Sequence, residues 1–168
     1  MDPAGWLDLS GLAPLAAALE ASALGEWMRG SDRAYPVANL VHLLGLVLLV
    51  GPMLLLDVRL LGMGQQFALP TVSATLTPWA VVGVLLLLPS GALMFAADAG
   101  PLLGNPVLQL KLLLVALGIA NALLFRVLWA DWLDDWDLLP PVGGRLQAAL
   151  SALCWLAAGT LGRLIAYG

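Results

Sequence analysis

From Pro36 onward the chain reads PVANLVHLLGLVLLVGPMLLL without a charge until DVRLLGMGQQ ends the run. A stretch that is apolar on every side, rather than on alternate residues or one helical face, predicts a helix surrounded by lipid. At about 1.5 Å per residue it is long enough to cross a hydrocarbon layer about 30 Å thick. The first span is placed at 36–57, with Pro36 at the helix entry, where a missing N–H costs nothing. A second run, 71–97, is interrupted by Pro78, Gly83 and Pro89-Ser90-Gly91, so the pattern predicts a kinked helix. The third, 105–130, starts at Gly104-Asn105-Pro106, and the fourth covers 145–167. Ahead of them, 10–30 is apolar on one side and carries Ser10, Glu20, Ser22 and Glu26, which suits a helix lying in the interface. The predicted fold is all-α: one membrane domain over 1–168, an integral membrane four-helix bundle preceded by an interfacial amphipathic helix.

Composition agrees, since 61% apolar residues, 11% charged residues and a mean hydropathy of +0.95 lie far outside the range of soluble domains. The net charge of -4 and the lack of clustered Lys and Arg exclude nucleic acid as a partner. A single cysteine, Cys154, excludes an internal disulfide and any CxxC site. The acidic start, MDPAGWLDLS, lacks the basic region of a signal peptide, so the first span is expected to target the chain. No GxSxG, HExxH, P-loop or pair of intramembrane carboxylates is present, and a non-enzymatic role is expected. Four crossings put both termini on one side. Arg29, Arg33 and Arg163 lie toward that side and Arg59, Arg126 and Arg145 toward the other, a tie by the positive-inside rule; the termini are placed on the periplasmic side. Trp129, Trp132 and Trp136, interleaved with Asp131, Asp134, Asp135 and Asp137, read as an aromatic belt and a solvated acidic turn in preference to a cation site.

The four-span topology brings distant polar residues to one depth. His42, the only histidine, lies six residues past Pro36, about 9 Å into the first span. Lys111 lies about 7.5 Å into the third span, and Arg163 within about 8 Å of the same surface on the fourth. Asn39 precedes His42 by about one turn and is expected on its face, while Ser90 and Met94 complete the level from the second span. Small residues mark close helix approach beside them: Gly45, Gly118, and the stripe Ala148, Ala152 and Gly159. Asn121, nearer the opposite surface, is expected to bond across helices. Two readings compete. Either the level is a polar pocket with an imidazole between two cations, suited to an anionic group, or Lys111 and Arg163 snorkel to headgroups and His42 is structural.

The segment LEASALGEWMRGSDRAYPVANLVHLLGLVLLVGPMLLLDVRLLG, Leu19 to Gly62, carries an S-x-x-x-YP-x-x-N-x-x-H-x-x-G pattern followed by DxRLLG. In this it resembles a bacterial inner-membrane family of four-helix proteins known as a domain of unknown function. GNPVLQLKLLLVALGIANALLF, Gly104 to Phe125, is similar to the Lys-containing helix of copper-resistance D domains. That resemblance implies a shared bundle and a role in copper or redox handling. Cytochrome b561-like bundles place two histidines on facing helices for each haem, and this chain has one. A b-type haem would need His42 with Met53 or Met94, or a second subunit. Copper would take the soft set His42, Met94 and Met28, without MxxM spacing to support it.

The expected function is binding or passage of a copper-like metal ion or small ligand at His42, Asn39, Lys111 and Arg163, with His42 and Met94 as the metal donors. The alternatives are a haem- or quinone-binding redox subunit, and a structural anchor acting through the N-terminal helix and the WADWLDDWD turn. The expected setting is the bacterial inner membrane, multi-pass, with the lipid bilayer, a homo-oligomer or a membrane or periplasmic protein as partners.

Overall fold

The structure, a computed structural model, describes residues 7–164, the last two by their backbone alone. Among the described residues every regular element is helical. After a single 3-10 turn, Ser10–Leu12, come α1 (Ala13–Glu20), α2 (Ala23–Gly30), α3 (Ala34–Leu60), α4 (Leu69–Ala97), α5 (Ala99–Leu103), α6 (Pro106–Trp129) and α7 (Val142–Leu164). Three of them, α3, α4 and α6 with the 3-10 turn that extends it to Trp132, are long and apolar enough to cross a membrane. The fourth long helix, α7, has 23 residues and a more polar sequence, including Arg145, Gln147, Ser151 and Thr160.

Pro52 lies inside α3, and Pro78 and Pro89 lie inside α4, which runs as one helix across both. The long helices pack in the order α4–α3–α7–α6, and α4 and α6 do not pack side by side. Glycine sets the α3–α4 approach: a Cβ on Gly83 would stand 2.5 Å from the Leu49 amide nitrogen and 2.8 Å from the Gly45 carbonyl oxygen. Small residues permit this closeness where lipid offers no hydrophobic drive for helices to associate. Between α6 and α7, Gly118 receives the Trp155 ring, 2.9 Å from where a Cβ would lie.

The segment expected as one interfacial helix is two short ones. Ser22 breaks it, because its hydroxyl accepts from the Gly25 amide at 3.3 Å and caps α2. The pair docks on the end of α4 instead of lying alone. Arg29 donates to the Ala97 carbonyl at 2.8 Å and to the Glu20 carbonyl at 2.7 Å, while Glu20 Oε2 accepts from the Gly100 amide at 2.9 Å. Met28 is buried beneath them with Ala34, Ala38 and Ala97.

At the other end the acidic turn folds back over α3. Arg59 donates to both Asp137 oxygens, at 2.9 and 2.5 Å, and to the Phe67 carbonyl at 2.8 Å. The guanidinium holds the Asp137 carboxyl below the usual carboxylate range. Trp136 is only 1% exposed; its indole N–H donates to the Leu60 carbonyl at 3.0 Å, and its ring meets Trp129 edge-on. Trp136 therefore leaves the expected belt, whereas Trp132 stays exposed. The belt pattern assumes one continuing helix, and α6 ends at Trp129.

Candidate functional site

The polar level is gathered in part. His42 is half-buried on α3 with Nδ1 3.0 Å from Ser90 Oγ, and Gly91 leaves room for the ring, a Cβ there falling 3.1 Å from Cε1. Ser90 Oγ donates its one proton to the Leu86 carbonyl at 2.5 Å. With that proton given to Leu86, Ser90 Oγ can accept from Nδ1–H, and this tautomer would leave the Nε2 lone pair free. Lys111 reaches from α6 across Gly162 of α7, where a Cβ would stand 3.1 Å from Nζ.

The other members do not join. Asn39 is exposed, because the inward stripe of α3 runs through Ala34, Ala38, Gly45 and Leu49, and Asn39 sits about 100° round from Ala38. Met94 packs into the apolar cluster of Met28, Ala34, Ala38 and Ala97. The Arg163 side chain lies outside the described residues. Among the described residues no three His, Cys, Asp or Glu side chains are placed to hold a metal ion together.

A different feature stands toward the opposite end. A cavity of about 440 Å³ is enclosed by α3, α4, α6 and α7, with apolar walls that include Met53, Val84, Ile119 and Trp155. Asp57 lines it, 2% exposed, and its Oδ2 has no hydrogen-bond partner. Ser73, Thr77, Asn121, Gln147 and Ser151 add neutral polar groups, and Arg126, itself exposed, is the second charged residue of the lining. Ser151 sits beside the Asp57 carboxyl, and its hydroxyl accepts from Trp155 Nε1 at 3.1 Å. Asn121 Nδ2 donates to the Gln147 carbonyl at 3.0 Å, the cross-helix bond expected of it.

The cavity has an opening on the side where α4 and α6 fail to meet. Val81, Leu85 and Leu123 line it and are themselves 50%, 63% and 63% exposed. Sequence reasoning treated Asp57 only as the end of a span. The available signal was spacing, since Met53, Leu56 and Asp57 fall on one face of α3 and carry a carboxyl into an apolar stripe. Compared with known proteins, the chain matches no family model, no curated protein and no solved structure.

Proposed function

We propose that the protein is a four-span integral membrane protein of the bacterial inner membrane that binds a small, largely apolar ligand inside the bundle. The fourth crossing is supported by the outer face of α7, where Leu146, Leu150, Leu153 and Leu156 are all exposed at helical spacing and suit contact with lipid. The observation that carries the binding role is the cavity. Its volume falls in the range of about 300–1,000 Å³ typical of small-molecule pockets, and a buried, unpartnered carboxyl oxygen opens into it. Its lining places no histidine, cysteine or second acid beside Asp57, which favours binding or passage over catalysis.

Native mass spectrometry of protein released from nanodiscs tests this. Wild type is expected to retain a bound mass, and Ala122→Phe or Thr77→Phe, which fill the cavity from α6 and α4, to lose it with helicity unchanged. Equal retention by all three, or none by wild type, removes the cavity from the function.

A second reading keeps His42, because the tautomer in which Nδ1–H donates to Ser90 frees Nε2, the atom that a copper ion or haem iron would take. It has less support. Met94 lies in an apolar cluster, so one donor stands alone among the described residues.

A further inference from the structure

We infer that the cavity takes a bilayer amphiphile whose polar end donates an O–H or N–H hydrogen bond to Asp57 and whose apolar tail leaves between α4 and α6. This rests on the cavity reading above and adds the chemistry of the head and the route of entry.

The head follows from what Asp57 lacks. A carboxylate oxygen accepts hydrogen bonds, and a buried polar atom with no partner is rare enough to require an account. None of the donors that line the cavity bonds Oδ2: Arg126, Ser73, Thr77, Gln147 and the Ser151 hydroxyl leave it unpartnered, and the Asn121 amide and the Trp155 indole are given to Gln147 and Ser151. The missing group is therefore a donor supplied from outside the chain. An anionic head, such as a fatty acid or a phosphate, would bring like charge to an ionised Asp57 carboxyl but would also face Arg126 in the lining, and a carboxylate probe decides between the two.

The tail follows from where the polar and apolar parts lie. Asp57 is three residues from the end of α3, about 4.5 Å from that helix terminus and so near the membrane surface. Val81 and Leu85, at the opening, lie halfway along α4, at the depth of the bilayer centre. A molecule with its head at Asp57 and its chain at Leu85 has the orientation of the surrounding lipid. It can enter sideways without exposing its tail to water.

The test uses Trp155, which lines the cavity and whose fluorescence bromine quenches on contact. Protein in phosphatidylcholine nanodiscs is titrated with four terminally brominated alkyl chains of one length, ending in a primary alcohol, a primary amine, a methyl ether or a carboxylate. The Trp155 signal is taken as the difference from Trp155→Phe. The alcohol and the amine are expected to quench saturably at concentrations about tenfold lower than the ether and the carboxylate. Asp57→Leu should bring the alcohol to the level of the ether. Asp57→Asn, which preserves shape and an acceptor oxygen, should keep the alcohol and cost the amine its advantage. An amine tighter than the alcohol assigns a cationic head, and equal binding assigns a neutral one. If the ether equals the alcohol and Asp57→Leu changes neither, the head assignment fails while the cavity reading survives. A carboxylate that binds best also overturns it. If no probe quenches saturably, both fall together.

Discussion

At the scale of single residues, His42 shows how a sequence can point to the right side chain and miss its surroundings. Ser90 is expected at its depth and is the hydroxyl found 3.0 Å from Nδ1, yet Asn39 is expected beside it and faces outward. Depth comes from counting residues along a span. Facing depends on rotation, and three residues on a helix turn through about 300°, not a full circle. The geometry gives His42→Gln a clear outcome, because a glutamine amide can still donate to Ser90 Oγ. If the residue is structural, thermal stability in detergent should fall by no more than the ~0.6 kcal/mol typical of a hydrogen bond between membrane helices. If Nε2 holds a metal or haem, the same substitution should remove the bound metal and the visible absorbance of the purified protein. Gly83→Ala probes packing without polarity. Its added methyl meets the α3 backbone, so a loss of about 1–3 kcal/mol is expected from overpacking.

Among the elements, the turn after α6 was the least legible, for a physical reason. Trp129, Trp132 and Trp136 are spaced by three and four residues, which on a continuing helix would put all three on one face and make a belt. The α-helix stops at Trp129, a 3-10 turn carries it to Trp132, and the chain beyond folds back to Arg59, so that Trp136 is buried against Leu60 and Phe125. Two tryptophans with similar sequence surroundings should therefore behave differently. Trp136→Ala should cost about 3–5 kcal/mol, the range for removing a large aromatic side chain from a core, whereas Trp132→Ala should leave thermal stability nearly unchanged. The same latch depends on pH. Asp137 has its pKa lowered by Arg59, so its stabilising effect is present above the ordinary carboxylate pKa of about 4 and is lost as pH falls through the lower folded value. The turn is expected to loosen only in strong acid, read as a rise in exposed tryptophan emission. In Asp137→Asn that acid transition should be weakened.

Over the whole molecule, hydropathy told where the helices are but not which are neighbours. The apolar runs predicted 36–57, 71–97 and 105–130, and the helices found, Ala34–Leu60, Leu69–Ala97 and Pro106–Trp129, differ by a few residues at their ends. The open side between α4 and α6 left no mark in the sequence, because a residue facing lipid and one facing a lipid-open cavity are equally apolar. Whether α7 crosses is the point on which the topology turns, since its polar residues lower its hydropathy while its exposed leucines suit lipid. Side-specific labelling separates the cases in a Cys154→Ser background, which removes the native thiol. Arg33→Cys and Gly104→Cys should label from one side, and Gln65→Cys and Leu139→Cys from the other, with α3, α4 and α6 each making one crossing. A reporter fused after Gly168 then decides the fourth. On the side of Arg33 it completes a four-span protein with both termini together; on the side of Leu139 it leaves three crossings, with α7 unable to wall a cavity inside the bilayer.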